Sequence, residues 1–308
     1  MLPITIPPGP GGGDWMRDLS DERKIVMKKF LSLVLALAMA LSLAACGGNN
    51  GGANADADTN ANTSAGADTD AETGGEAAFT TVEAGKLIMS TNAAFPPYEM
   101  TSDGEGYNGT GFEGIDVEIA GAIAEKLGLE LQIDDMEFTS ALEAAQKGMS
   151  DMVMAGVTVN EDRLAVMDFT DSYATGVQVV IVKEGSDVTL DNLGEQQIGV
   201  QNGTTGWNFC TGDFGDDHVV AFDNGITAVQ ALVNDQVDCV VIDQAPAESF
   251  VAENPGLTIL ETEYAIEDYA IGVAKGNTAL LDALNAALAE LKADGTIQSI
   301  VDTYITAE

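Results

Sequence analysis

Apolar residues follow two alternating rhythms along most of the chain. Short aliphatic runs, such as residues 87–91 and 151–155, predict buried β-strands. Residues 117–127 instead place apolar side chains at every third or fourth position, which predicts an amphipathic helix, and Gly128 follows as the residue that ends it. Strands that alternate with helices are typical of a layered α/β fold.

Two further helical segments carry their own start and stop signals. The capping box Ser140-x-x-Glu143 predicts the beginning of a helix. Residues 277–304 predict C-terminal helices separated at Gly295, the first with a stripe of leucines on one face: Leu280, Leu284, Leu288 and Leu291.

One helix–turn–strand unit occurs twice in the same order. Residues 141–151 form a helical stretch that ends in an aspartate before Met-Val-Met, and residues 228–238 end in an aspartate before Cys-Val-Val, 87 residues later. Residues 87–92 and 198–202 begin the two halves with similar strands. We therefore predict a pair of similar α/β lobes.

The predicted strands also suggest how the chain is divided between the lobes. The strand at residues 269–274 returns toward the first lobe, so the chain crosses between lobes near residues 173–180 and near residues 264–270. We assign three segments: the first part of lobe one (80–175), lobe two (176–266) and the return to lobe one (267–308).

Polar and glycine-containing segments follow the predicted strands. They are residues 91–95 and 155–158 in lobe one, and residues 201–205 and Asp243 in lobe two. Ligands of open α/β sheets bind beyond the carboxyl ends of the strands. Facing lobes would bring all four segments around one cleft, with Arg163 just past the second of them.

The N-terminal region carries an export signal. Residues 27–45 begin with Met-Lys-Lys and continue with an apolar run that is short for a membrane-spanning helix. The run ends Leu-Ala-Ala-Cys46, which resembles the bacterial lipobox, whose cysteine receives a diacylglycerol anchor. An ordinary secretory signal with an unmodified Cys46 is the alternative. We interpret residues 1–26 as the product of a start codon assigned too early.

The segment after the lipobox predicts a tether. Residues 46–79 consist mainly of Gly, Asn, Ala, Asp and Thr, and contain no aliphatic residue larger than alanine. Such a segment buries too little apolar surface to offset its ordering entropy. We therefore expect a flexible, disordered linker between the anchor and the lobes.

Charge excludes several classes of partner. After Cys46 the chain has seven Lys and Arg residues against 46 Asp and Glu residues, which leaves a net charge of −39. No basic stripe is present to neutralise phosphates, so nucleic acid is not an expected partner. The acidity also disfavours anionic lipid surfaces, so membrane association is expected to depend on the lipid at Cys46.

The remaining special residues predict neither a metal site nor a cofactor. Cys210 and Cys239 are the cysteines left after Cys46, and the sequence leaves a disulfide and two buried thiols equally open. His218 is the single histidine and lies in an acidic segment, where we expect it to be solvated.

Arg163 is the sole arginine after the export segment. A guanidinium makes planar, two-pronged hydrogen bonds to a carboxylate that lysine cannot reproduce. The alternative is a surface ion pair with Glu161 or Asp162, which contributes little to stability. We interpret Arg163 as a candidate clamp for a ligand carboxylate.

The chain resembles the extracellular solute-binding proteins (family 3) of polar amino-acid ABC transporters over residues 86–304. The resemblance rests on motifs in family order: 90–98 (Ser-Thr-Asn-Ala-Ala-Phe-Pro-Pro-Tyr), 114–127 (Gly-Ile-Asp-Val-Glu-Ile to Leu), 136–138 (Met-Glu-Phe), 155–163 (Ala-Gly-Val-Thr to Arg), 168–173 (Asp-Phe-Thr-Asp-Ser-Tyr) and 203–205 (Gly-Thr-Thr). It implies a type II periplasmic-binding-protein-like fold, with two α/β lobes joined by a two-strand hinge. The lobes would close on an amino acid and deliver it to a membrane permease.

The resemblance also implies roles for individual residues. Arg163 would hold the α-carboxylate, and Asp243 would pair with the α-ammonium unless it merely caps a turn. Phe95 and Phe138 would flank the ligand side chain, although Phe138 also suits ordinary core packing. The implied ligand-binding set is Asn92, Phe95, Phe138, Ala155, Gly156, Thr158, Arg163, Gln201, Thr204, Thr205 and Asp243, of which Thr204 and Thr205 also suit helix capping.

Asn92 departs from the family pattern for cationic or amide ligands, where an aspartate often meets the side-chain head group. A neutral amide cannot neutralise a lysine or arginine head group, and an unpaired charge in a closed cleft is costly. We therefore favour an uncharged polar amino acid, with glutamine first, and keep arginine open because the protein is so acidic.

Two other functions share this fold. An exported dehydratase-type enzyme would need a poised acid–base group, and the predicted cleft has no histidine and no serine or cysteine beside a base. We therefore do not predict an enzyme. An amino-acid-binding sensor would have the same cleft chemistry. In each case the expected location is the extracytoplasmic face of the bacterial cytoplasmic membrane.

Overall fold

The computed structural model describes residues 79–260 and 264–305. The predictions for residues 1–26, for the signal at 27–45, for Cys46 and for nearly all of the tether lie outside that part. Within the described residues, no helix has both the length and the apolar character needed to cross a membrane.

Fourteen strands and eight α-helices alternate along the described residues. The strands are β1 Lys86–Thr91, β2 Ala94–Phe95, β3 Glu99–Thr101, β4 Phe112–Glu113, β5 Glu130–Asp135, β6 Met152–Val153, β7 Met167–Phe169, β8 Ala174–Lys183, β9 Ile198–Gln201, β10 Val219–Phe222, β11 Cys239–Asp243, β12 Leu257–Ile259, β13 Ala265–Tyr269 and β14 Gly272–Ala274. The helices are α1 Ile115–Leu127, α2 Phe138–Gln146, α3 Glu161–Val166, α4 Thr205–Phe214, α5 Gly225–Val233, α6 Gln244–Glu253, α7 Thr278–Ala293 and α8 Thr296–Tyr304.

Two larger sheets define the two lobes. Lobe one contains the order β5-β1-β6-β14-β7, in which β1 is parallel to β5 and β6. Lobe two contains the order β10-β9-β11-β8-β12, with β9 parallel to β10 and β11, and with β13 also paired to β8. The predicted class of two mixed α/β lobes is confirmed.

The antiparallel pair β8–β13 carries the two crossings between the lobes. The chain leaves lobe one after β7 and enters lobe two at Ala174, the partner of Tyr269 in the ladder. It returns after Tyr269, and β14 pairs with β6 and β7 of lobe one. These crossings lie close to the predicted lobe boundaries at residues 175 and 266. The exact limits of the lobes stay a prediction.

The predicted apolar stripes face the core. All four leucines of α7 are buried, and Gly295 adopts a left-handed conformation (φ +82°) between α7 and α8. Helix α1 buries Ile119 and Ile123 against lobe one and ends at Gly128 with φ +69°. These helix predictions are confirmed. They succeed because the apolar stripe and the glycine that follows it are both encoded in consecutive residues.

The helix–turn–strand unit that occurs twice in the sequence also occurs twice in the structure. Asp151 precedes β6 and accepts a hydrogen bond of 2.7 Å from the backbone N–H of Ile88, at the neighbouring strand β1. Asp238 precedes β11 and accepts one of 2.8 Å from the N–H of Gln197, next to β9. The equivalent aspartate therefore joins equivalent parallel strands in both lobes.

Two local predictions were wrong. Ser140 does not open α2, which begins at Phe138 after Glu137 and has no side-chain cap. The burial of Phe138 at the cleft favours an earlier start than the capping motif indicates. The single strand predicted at residues 269–274 is instead two strands in different sheets, because the chain changes lobe between β13 and β14.

Candidate functional site

One cleft between the lobes gathers all eleven residues of the predicted ligand-binding set. Its lining comprises Asn92, Phe95, Glu99, Phe138, Ala155, Gly156, Thr158, Arg163, Gln178, Gln201, Thr204, Thr205, Val241, Ile242 and Asp243. The sequence did not single out Glu99, Gln178, Val241 or Ile242 from this group. Of these four, only Glu99 adds an ionisable group to the cleft.

Strand ends place most of these residues, as the topology requires. Asn92 follows β1, and Ala155 and Gly156 follow β6, so one edge of the lobe-one sheet forms one wall. Gln201 and Asp243 are the last residues of β9 and β11 and form the opposite wall. Parallel strands direct their carboxyl ends to the same edge, which explains why segments distant in sequence meet here.

Arg163 lies inside the cleft. Asn160 caps α3 by accepting a hydrogen bond from the Arg163 backbone N–H, at 2.9 Å. The guanidinium donates through Nη1 to the Thr158 carbonyl at 2.8 Å, and its carbon lies 5.4 Å from the centre of the Phe138 ring. With 9% of the residue exposed, the alternative of a surface ion pair is wrong.

The charge of Arg163 is retained despite its burial. Burial lowers the pKa of Arg163 to about 10, while Glu267 and Asp243 act in the opposite direction. The guanidinium also donates through Nη2 to the carbonyl of Gly203 in lobe two, at 3.3 Å. Arg163 is therefore a protonated donor that already contacts both lobes.

Asp243 presents a carboxylate on the lobe-two side. Its Oδ1 accepts a hydrogen bond from the Tyr269 hydroxyl, and its Oδ2 accepts one from Gln178 Nε2 at 2.8 Å. Asp243 occupies the N-cap position of α6, but its side chain makes no capping hydrogen bond there. Burial raises the pKa of Asp243 to about 7, and the two donors oppose that rise.

A hydrogen-bond network on the hinge strands links these two charged groups. Gln178 Nε2 also donates to Glu267 Oε2 at 3.0 Å, and the Thr158 hydroxyl donates to the same oxygen at 3.1 Å. Gln178 lies on β8 and Glu267 on β13. The network therefore runs from Asp243 through both hinge strands to the loop that holds Arg163. In the sequence, the sign of this network was one polar side chain, Gln178, within the largely aliphatic stretch that forms β8.

Aromatic rings form one end of the cleft. The Phe95 and Tyr98 rings stack with centroids 5.8 Å apart, and Tyr98 meets Tyr269 edge to face at 5.3 Å. Gly156 has φ +55°, and a Cβ there would lie 2.8 Å from the Phe95 ring. Glycine is therefore required where the lobe-one backbone passes this wall. Phe138 both lines the cleft and packs with the core beside α2.

Direct contacts also join the lobes at the other wall. Gln201 Nε2 donates to Asn92 Oδ1 at 3.0 Å, and Asn92 Nδ2 donates to the Met136 carbonyl at 3.0 Å. Thr204 caps α4 by accepting from the Trp207 N–H at 3.2 Å, and Thr205 is the first helical residue. The capping alternative for Thr204 is confirmed, together with its place on the cleft.

Glu99 is the unexpected charged residue of the cleft. It begins β3, is 1% exposed, and lies beside Asp116 of α1. Burial raises the pKa of Glu99 well above its ordinary value, and the neighbouring Asp116 raises it further. The preceding Pro-Pro-Tyr sequence gave no sign that this carboxyl group would be enclosed.

The other special residues stand apart from the cleft. Cys210 and Cys239 are free and buried in the lobe-two core, where burial raises the pKa of each thiol to about 12. Across residues 79–260 and 264–305, no group of three or more His, Cys, Asp and Glu side chains is arranged to hold a metal ion.

Comparisons with known proteins agree with this architecture. The family model described as bacterial extracellular solute-binding proteins, family 3, matches residues 87–307. A probable histidine-binding protein of Neisseria gonorrhoeae is 32% identical over 243 residues, covering 76% of this chain and 89% of that protein.

Solved structures are similar over a comparable share of the chain. An ancestral arginine-binding protein bound to glutamine has 37% identity and a TM-score of 0.67, covering 72% of this chain and 99% of that one. The arginine-, lysine-, histidine-binding protein ArtJ of Geobacillus stearothermophilus has 30% identity and a TM-score of 0.67, covering 72% and 96%.

Proposed function

The chain belongs to family 3 of the bacterial extracellular solute-binding proteins, and on this premise we propose that it captures one amino acid between its lobes and delivers it to an ABC transporter permease. One observation carries the proposal. A buried guanidinium of lobe one and a buried carboxylate of lobe two line the same cleft. A free amino acid offers the complementary pair of charges.

Arg163 would bind the α-carboxylate by paired hydrogen bonds. The Thr158 hydroxyl, the backbone near Gly156 and the amides at the start of α4 would complete this end of the site, because helix N-termini favour anions. The contact between Arg163 and the Gly203 carbonyl supports the idea that this end is shared by both lobes.

Asp243 would bind the α-ammonium. Only its ionised form can make that ion pair, and the donors Tyr269 and Gln178 stabilise the ionised form. Burial of the group strengthens the resulting interaction, because little water competes for the charges.

The remaining lining would contact the ligand side chain. Phe95 and Phe138 offer apolar faces, and Ala155 leaves room between them. Asn92 and Gln201 bond to each other across the cleft and would rearrange around a polar head group. The relatives named above bind histidine, arginine, lysine or glutamine, so glutamine and arginine are the first ligands to test.

A thermal-shift panel of the twenty common amino acids tests the proposal. A ligand that binds only the native state at 100 times its Kd stabilises that state by about 2.7 kcal/mol. We expect one or a few polar amino acids to raise Tm, and failure of every one would reject amino-acid capture. Uptake by a reconstituted permease and ATPase then separates transport from sensing. Turnover of a ligand would instead favour an enzyme.

The proposed location follows from the family and from the lipobox. Family members act outside the cytoplasm, and we propose that Cys46 carries a lipid that holds the protein at the membrane surface. Metabolic labelling with a fatty acid is expected to label the wild type and the control Cys210→Ala. Cys46→Ala should lose the label and enter the medium or periplasm. Retained label in that variant would reject the anchor.

A further inference from the structure

Two buried carboxyl groups meet at the lobe-one wall of the cleft. Glu99 lines the cleft from β3, and Asp116, in the first turn of α1, is the neighbouring carboxyl group whose charge acts on it. The backbone N–H of Ile115 donates to the Pro97 carbonyl at 3.0 Å, and that of Asp116 donates to the Tyr98 carbonyl at 2.8 Å. These bonds fix the two segments side by side.

The pair has more acceptor oxygens than donors. Asp116 Oδ2 accepts from the Gly156 N–H at 3.0 Å and from the Tyr173 hydroxyl at 2.7 Å. Asp116 Oδ1 and Glu99 Oε2 are buried and have no hydrogen-bond partner among the described residues. Two adjoining carboxylates without enough donors cannot both stay ionised, so they are expected to share a proton.

Among the described residues, the charged groups that act on Glu99 are all acidic. The ionisable groups that face the pair are Tyr98 before β3, Tyr173 before β8, Asp135 of β5 and Asp243 of β11. Arg163 shares the cleft, but its guanidinium is hydrogen-bonded to the carbonyls of Thr158 and Gly203. Burial raises the pKa of Asp116 to about 6, while its Gly156 and Tyr173 donors oppose the rise.

We infer that the Glu99–Asp116 pair is a proton-holding subsite for the ligand side chain. It keeps one proton beside a neutral side chain, and it releases that proton to solvent when the cationic side chain of an amino acid binds against Glu99. The pair then changes from one negative charge to two, and the added charge neutralises the ligand's head group. This inference rests on the proposed function, since it needs an amino acid in the cleft.

The subsite extends the ligand class to cationic amino acids. A cationic head group in a closed cleft needs a counter-charge. Asn92 is neutral, and Asp243 is assigned to the α-ammonium. An opposite charge at close range favours the ionised carboxylate, so the incoming cation itself drives the loss of the proton. The preference for an uncharged ligand rested on Asn92 and took no account of Glu99, which the sequence had not placed in the cleft.

Isothermal titration calorimetry measures this proton directly. Arginine and glutamine are titrated into the purified protein at pH 6.5, in phosphate and in imidazole, buffers with very different ionisation enthalpies. Pairing of Asp243 with the α-ammonium releases the same proton for both ligands. We therefore expect the enthalpy of arginine binding to depend on the buffer more steeply than that of glutamine binding, by a difference of about one proton released.

A matched pair of variants locates the proton. Glu99→Gln keeps the shape of the side chain but cannot ionise, so we expect it to abolish the additional proton that arginine releases relative to glutamine. It should also lower the affinity for arginine relative to glutamine by about tenfold or more. The control Glu105→Gln makes the same change on an exposed loop and should alter neither quantity.

The outcomes separate the two proposals. If neither arginine nor glutamine nor any other amino acid binds, amino-acid capture fails, and this inference fails with it. If amino acids bind but arginine releases no more protons than glutamine, or if arginine does not bind while glutamine does, the subsite alone is rejected. An unchanged ratio of affinities in a folded Glu99→Gln protein also rejects it. The wild-type measurement decides the question even if that variant does not fold.

Discussion

At the scale of the residue, Arg163 is the group whose replacement should be most informative. Its two terminal nitrogens donate in different directions, to the carbonyls of Thr158 and Gly203. Lysine has a single ammonium that cannot reproduce this fork. We expect Arg163→Lys to weaken binding of the identified amino acid by about 10- to 100-fold, which corresponds to about 1.4–2.8 kcal/mol.

Calorimetry measures that loss, and circular dichroism checks the fold. Lys147→Arg is a suitable control, because Lys147 is exposed and forms a surface ion pair with Glu143, away from the cleft. An affinity unchanged by Arg163→Lys would show that the carboxylate is held elsewhere.

The hydroxyl of Tyr269 should tune the pH dependence of binding. Asp243 has a pKa of about 7, so its ionised fraction, and with it the affinity for an α-ammonium, should rise as the pH increases through 7. Tyr269→Phe removes a donor that lowers this pKa. The profile should therefore move to higher pH, and affinity at pH 6 should fall about tenfold, since hydrogen bonds to charged groups contribute about 1.5–3 kcal/mol.

Titrations between pH 5.5 and 8.5 test this expectation with a neutral ligand. A purely structural role for Tyr269 would lower the affinity equally at every pH and leave the profile in place. Tyr264→Phe is the matched control, because Tyr264 donates to Asp213 on lobe two and does not line the cleft.

At the scale of the element, the repeated aspartates make a paired prediction about stability. Asp151 is buried and accepts from the N–H groups of both Val82 and Ile88, whereas Asp238 is exposed and accepts from one. Replacing an acceptor of buried donors costs about 1–3 kcal/mol. We expect Asp151→Asn to cost that much and Asp238→Asn less than about 1 kcal/mol.

Urea denaturation monitored by circular dichroism compares the two variants. Equal losses of unfolding free energy would contradict the idea that burial decides the strength of this shared contact. A larger loss for Asp238→Asn would contradict it further.

Elements built from local patterns were predictable, and elements set by distant contacts were not. The leucine stripe of α7 and the glycine that ends α1 are written in consecutive residues. The start of α2 depends on the burial of Phe138 beside Arg163, which no local signal encodes. Glu99 and Gln178 belong to the cleft because segments far apart in sequence enclose them. Asn92 and Asp243 were found because strand ends converge in this topology.

At the scale of the whole molecule, Gly203 controls how closely the lobes approach. It has φ +76°, and a Cβ there would lie 2.4 Å from Thr139 Cγ2 of the opposite lobe. Gly203→Ala should therefore strain the turn and hold the lobes apart. We expect a folded protein whose ligand affinity is at least about tenfold weaker.

Small-angle scattering with saturating ligand provides the second measurement. The radius of gyration of Gly203→Ala should remain larger than that of the wild type under the same conditions. Gly212→Ala on α4 is the control, since a Cβ there meets nothing within 4 Å. Equal radii and equal affinities for Gly203→Ala would show that the lobes close without this contact.

The hinge network has a consequence for which molecules are rejected. Gln178 and Glu267 lie on paired strands and tie Asp243 to Thr158, whose carbonyl accepts from Arg163, so the separation of the two anchors is set by backbone geometry. The cleft would then select ligands by the distance between their ammonium and carboxylate groups. β-Alanine and γ-aminobutyrate carry the same two charged groups at a longer distance, so a cleft of fixed spacing would exclude both.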